Sequence, residues 1–308
     1  MADHREWFRE LVDLGYTDVW TGEANAHEGF IPLALASAWA PQLRLGTAII
    51  PAATRGPAVL AQEVATMADA APGRFVFGIG TSSNVIVESW NGVPFDAPYQ
   101  QVKETVDFLR VVLTGEKFTG EVAGRTVNGF RLAVPLESQP KILIAALRQG
   151  MLRLAGSRGD GAIINWLSPS DVSTVAPIVT DAAPEGATPE IVARIFVAPT
   201  TDRDTVMAMG KFALAAYASV PVYAEFHKWL GRGDALEPFN RLWAEGDRKA
   251  ATASIPDEVI DQLIVWGSPE QCRERIDQYI DNGVTTACLA ILPFGLDQQQ
   301  AYRDLAPR

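Results

Sequence analysis

The sequence predicts an α/β fold with a parallel sheet, either open or closed into a (β/α)8 barrel. Three observations carry this. Short apolar runs alternate with segments of helical periodicity along most of the chain. The runs are continuously apolar, as expected of strands covered on both faces. One stretch, Leu43 to Gly80, shows the whole repeating unit. Its first strand, Leu43 to Ile50, lies between Pro41 and Pro51. A helix opened by Arg55-Gly56-Pro57 follows, because proline suits a first helical turn, where its missing N–H costs nothing. That helix is expected to bury Val59, Leu60, Val64 and Met67. A second strand, Arg74 to Ile79, closes the unit at Gly78-Ile79-Gly80.

The other elements follow the same rhythm. Asp3 to Leu14 has helical periodicity and Gly15 as its stop. Tyr16 to Thr21 reads as a strand, followed by a loop, Gly22 to Gly29, that holds Glu23, Asn25, His27 and Glu28. Ile31 to Ala40 is a helix of small apolar residues. After the central unit, Thr81 to Tyr99 is a polar, aromatic loop, long enough to be a functional one. Gln100 to Leu113 is an amphipathic helix, and Phe118 to Leu132, with strand-like runs around Gly124-Arg125 and Asn128-Gly129, reads as a β-hairpin insertion. Strands at Lys141–Ala146, Gly161–Asn165 and Glu190–Ala198 alternate with helices at Gln149–Gly156 and Pro169–Ala183. From Asp202 to Ile264 the sequence is almost wholly helical, with breaks at Pro221, Gly231-Arg232-Gly233, Pro238 and Pro256. Ser268-Pro269-Glu270 caps a further helix, Thr285 to Leu292 is the last strand, and Asp297 to Leu305 the last helix. This makes seven strands, one short of a closed barrel, in a chain that opens directly in a helix.

The 308 residues, 48% of them hydrophobic, suffice for one large barrel or two smaller domains. A formal net charge of -11 with no basic stripe argues against a nucleic-acid partner. No apolar run approaches the roughly 20 residues of a membrane helix. Cys272 and Cys288 give neither a disulfide framework nor metal-ligand spacing, so no metal is expected and the compartment reads as reducing, hence cytoplasmic.

Three stretches carry a family resemblance: GTAIIPAATRGPAVLAQEVATM with GRFVFGIGT, then ILIAALRQGMLRLAGSRGDGAIIN, and the closing WGSPEQCRERIDQYIDNGVTTACLAIL. In this order and spacing the chain resembles the bacterial luciferase-like superfamily, most of all its coenzyme F420-dependent oxidoreductases. The resemblance implies one (β/α)8 barrel over residues 1–308, with a hairpin insertion at about 117–134 and a helical insertion at about 202–264 walling the substrate pocket. It implies a deazaflavin, or alternatively FMN, at the C-terminal mouth, a small-molecule substrate and a homo-oligomer. Members begin with a strand before the first helix. This sequence lacks it, and the expectation is a start that is truncated or placed too late, leaving strand edges beside Tyr16–Thr21 and Thr285–Leu292. A monooxygenase, or an inactive cofactor-binding relative, are the rival expectations.

Site residues follow from the same resemblance. Glu23 matches the acid beside the deazaflavin ring, able to act as a proton relay if burial raises its pKa. His27 lies in the same loop, offset from the family's usual histidine, whose place Ala24 takes. Ala48-Ile49 matches a strand end that often holds a non-proline cis peptide behind the ring. Thr81 and Ser82 can hydrogen-bond the ring, whereas Ser83 stands where sugar-phosphate dehydrogenases of the family carry a glutamate, which argues against that reaction. Ala145, Ala146, Leu147 and Arg148 would meet the cofactor's phosphodiester at a helix N-terminus, with bulk where members have two glycines. Asn165 matches a phosphate-proximal position. Trp90 and Trp166 are pocket candidates among the tryptophans, and Tyr217, Tyr223, Phe226 and His227 candidates in the helical region.

Overall fold

The computed structural model describes residues 4–307. Its strands in chain order are β1 (Asp18–Thr21), β2 (Arg44–Thr47), β3 (Ile50–Pro51), β4 (Phe75–Gly80), β5 (Phe118–Val122), β6 (Arg125–Phe130), β7 (Lys141–Ala145), β8 (Gly161–Asn165), β9 (Glu190–Ala198), β10 (Ile264–Trp266) and β11 (Thr286–Ile291). The helices are α1 (His4–Asp13), α2 (Ile31–Trp39), α3 (Pro57–Ala70), α4 (Pro98–Val112), α5 (Gln149–Arg158), α6 (Pro169–Asp181), α7 (Arg203–Ala218), α8 (Pro221–His227), α9 (Gly233–Ala244), α10 (Arg248–Ser254), α11 (Asp257–Leu263), α12 (Pro269–Asp281) and α13 (Gln298–Asp304). Wider, π-helical turns occupy Val85–Trp90 and Lys228–Arg232.

The seven strands read from sequence form the staves of a nearly closed parallel barrel, in the order β1-β2-β4-β7-β8-β9-β11. Local chemistry explains the ends of these elements. Gly15, at φ +88°, takes the chain out of α1. Gly56 and Pro57 open α3. Ser168 with Asp171, and Ser268 with Gln271, make full capping boxes on α6 and α12.

Several expectations are corrected. The strand Leu43–Ile50 is not continuous: it is broken at Ala48-Ile49, where the peptide bond is cis as the resemblance implied, and resumes as β3 against β4. Val59 is 52% exposed, so α3 buries Leu60, Val64 and Met67 without it. Pro238 does not end a helix: it is the sixth residue of α9, near enough to the start that few backbone bonds are lost. The helical stretch stops at Leu263, because Ile264-Val265-Trp266 form β10 beside the C-terminal end of β9. Three residues are too few to show periodicity. Asp3, at the start of the expected first helix, lies outside the described residues.

Alternation along the staves builds the barrel interior in layers. The lowest layer is polar. Arg44 pairs with Asp18 and, at 2.6 Å, with Glu190, and it donates to Thr286 Oγ1 at 3.1 Å. Lys141 reaches the other oxygen of Glu190 at 3.3 Å. Above it, Val76, Leu143, Ile163 and Val192 form a small apolar cluster with Trp20 and Cys288 packed against it. Gly46 leaves room for the indole, since a Cβ there would lie 2.2 Å from Trp20.

No ladder joins β1 to β11 among the described residues. The C-terminal helix covers that gap. Tyr302 donates its phenol proton to Leu289 O on β11 at 3.3 Å, and its own carbonyl accepts from Tyr16 at 2.8 Å. Trp7 and Tyr16 pack their rings on Tyr302, and Arg303 pairs with Glu10 of α1.

Candidate active site

At the C-terminal ends of the staves lies a cavity of about 1420 Å³. Pockets for a single small molecule are typically about 300–1,000 Å³, so this one has room for two ligands side by side. Its wall is mostly apolar, with Trp90, Val85, Tyr99 and Val222 exposed around the mouth.

Glu23, Ala48, Ile49, Thr81, Ser82, Ala145, Ala146, Leu147, Arg148 and Asn165 all line this one cavity. Five strand ends and their loops bring them together across more than 140 residues of sequence. His27 is not brought there: it is exposed on the loop after β1, outside the lining. Tyr217, Tyr223 and Trp90 line the cavity, but Phe226, His227 and Trp166 are buried away from it. Trp166 is instead stacked on Phe196, with ring centroids 4.0 Å apart.

The wall near Ala48 is built for close approach. A Cβ on Gly80 would meet the Ala145 methyl at 2.9 Å and Ile49 at 3.2 Å. Small side chains at Ala48, Ala145 and Ala146 line the cavity there. Ser82 holds a left-handed backbone, φ +60°, as the chain leaves β4.

Glu23 lines the cavity but its carboxylate is taken. Arg55 donates to both oxygens, at 2.7 and 2.5 Å, and the Gly29 N–H donates at 2.9 Å. Arg55 also meets Glu63 at 2.8 Å and Glu28 at 3.7 Å. Burial pushes the Glu63 carboxyl above its ordinary range, against the pull of Arg55.

A second polar group lies on the side of β8 and β9. Arg194 donates to Tyr217 Oη at 3.3 Å and lies 4.7 Å over the ring of Phe196. Asn165 Nδ2 donates to Tyr223 Oη at 3.1 Å. Burial pushes the Tyr223 phenol up to about 12, so it stays a donor at neutral pH. Two buried polar atoms in the lining, Asn165 Oδ1 and Trp20 Nε1, have no protein partner. Sequence reasoning missed Arg194 and Trp20. The signal for Arg194 was present: it is the lone charge inside the apolar run IVARIFVA, where period-two alternation turns it inward with Val192.

Comparison with known proteins places this geometry. A putative coenzyme F420-dependent oxidoreductase of Mycobacterium tuberculosis is 26% identical over 99% of this chain and 93% of its own length. A 5,10-methylenetetrahydromethanopterin reductase of Archaeoglobus fulgidus is 29% identical over 97% of this chain and 92% of its own. Among solved structures, the coenzyme F420-dependent tetrahydromethanopterin reductase of Methanopyrus kandleri superposes with a TM-score of 0.76 at 19% identity, covering 98% of this chain and 94% of that one. The sequence model of the luciferase-like monooxygenases matches residues 1–286, and the chain belongs to that family.

Proposed function

We propose that the chain is an F420-dependent oxidoreductase that transfers a hydride between the deazaflavin and a small organic substrate. The observation that carries this reading is its near full-length similarity to two curated proteins, one named for F420 and one a methylenetetrahydromethanopterin reductase. The cavity supports it. Its volume suits cofactor plus substrate, and the wall of Ala48, Ile49 and Ala145 suits the face of a flat ring. Trp20 Nε1 and Asn165 Oδ1, on residues that line the cavity, are a donor and an acceptor without partners in the protein, as the walls of a polar ligand's site often are. Arg148, exposed in the lining at the N-terminus of α5, would offer a cation beside free helix N–H groups to an anionic tail.

When bound, the deazaflavin supplies a two-electron hydride donor or acceptor. The chain's part is to seat it against Ala48-Ile49, to hold its polar edge, and to keep water from the reacting face with the Trp90 and Tyr99 collar. Titration of the purified chain with F420 and with FMN tests the reading. Tight uptake of F420 and weak uptake of FMN is expected. A yellow protein that keeps FMN through desalting points instead to the monooxygenase chemistry of the family's description, and uptake of neither overturns both.

A further inference from the structure

We propose that Arg194 seats a carboxylate of the substrate on the cavity floor, with the phenols of Tyr217 and Tyr223 as its hydrogen-bonding companions. The proposal deepens the oxidoreductase reading by assigning a substrate class, and it rests on that reading for calling the ligand a substrate.

Arg194 has no acid. Among the described residues no carboxylate lies within 4.0 Å of it, and its one side-chain bond is to Tyr217. The other arginine turned into the barrel, Arg44, has two carboxylates. A half-buried guanidinium without a counter-charge is costly unless a ligand supplies one. Around it the phenols are poised as donors. Tyr217 accepts from Arg194 and Tyr223 accepts from Asn165, so both O–H groups are free to point into the cavity. The charge of the lining agrees. Arg148, Arg194 and Lys228 face Glu23, already neutralised by Arg55, and Glu225, so the cavity is net positive in a chain of net charge -11. One planar fork and two hydroxyl donors match the single charge and two oxygens of a carboxylate.

The test measures binding by calorimetry to the F420-loaded chain, using acetate, benzoate, cinnamate and octanoate, each beside its alcohol. At least one acid is expected to bind more tightly than its alcohol. Arg194→Met is expected to weaken that acid by roughly 10- to 100-fold, leaving the alcohol and F420 affinities unchanged. Arg194→Lys should recover part of the loss, and Tyr217→Phe should cost several-fold. Arg194→Met also gives up the Tyr217 hydrogen bond and the Phe196 ring contact together with an unpaired charge, so a cooperative melting curve checks that the variant is folded before binding is compared. The proposal is overturned if no acid depends on Arg194, if Arg194→Met weakens F420 instead, or if phenyl phosphate shows the dependence and benzoate does not. Acid binding that depends on Arg194 in a chain that takes up no F420 would sink the cofactor reading and leave this site standing.

Discussion

Glu23 shows what a position can and cannot reveal. Its place after the first strand put it at the cavity, and there it is. Its chemistry depends on Arg55, 32 residues on, which no local pattern announces. With both oxygens engaged, Glu23 fastens the loop after β1 to the turn that precedes α3. Glu23→Gln keeps an acceptor for Gly29 but loses the ion pair, and should cost about 1–3 kcal/mol in urea unfolding. Unchanged stability with slowed turnover would show that the carboxylate works on the ligand directly. Gly46 makes a second residue-scale test. Alanine there would bring a Cβ to 2.2 Å from the Trp20 ring, so the indole must shift. The expected loss is about 1–3 kcal/mol, with a shift in tryptophan emission as Trp20 moves.

Elements were legible where several residues voted together. Seven staves, the hairpin and the capped helices follow from apolar runs, glycines and Ser-Pro starts. The three-residue β10 does not, because the neighbouring β9 defines it, and the cis peptide at Ala48-Ile49 is signalled by the family resemblance rather than by any local pattern. The polar lowest layer is also invisible in sequence, since Asp18, Arg44, Lys141, Glu190 and Thr286 meet only once the barrel curls. It has a pH signature. Burial raises the Glu190 pKa, but Arg44 and Thr286 outweigh it, and the folded value lies below the ordinary 4.5. The resulting stability is present above 4.5 and is lost as pH falls through the folded value. Glu190→Gln should flatten that part of the acid unfolding curve. His227 works in the neighbouring window. It is fully buried beside Arg232 and Asp171 with neither ring nitrogen paired, and burial lowers its pKa from 6.5 to about 4. The unfolded chain takes a proton that the folded chain refuses, so stability falls as pH drops from 6.5 toward 4. His227→Phe should remove this slope in melting temperature against pH.

At the scale of the molecule, seven staves leave a gap that α13 covers. Tyr302 bonds to one side of it and receives Tyr16 from the other, so a side chain does what a ladder would otherwise do. Unpaired strand edges invite pairing with other chains. Tyr302→Ala should therefore cost about 3 kcal/mol and raise light scattering with protein concentration. Normal stability and no added scattering would show that the gap needs no cover. The polar lowest layer has a wider consequence. With Arg44 and its partners filling the lower end of the barrel and Trp20 the layer above, the large cavity among the described residues lies at the C-terminal ends of the staves. Two ligands sharing that cavity would enter past the same rim, so the one lying deeper would be first in and last out, and an ordered kinetic pattern in initial rates would show it.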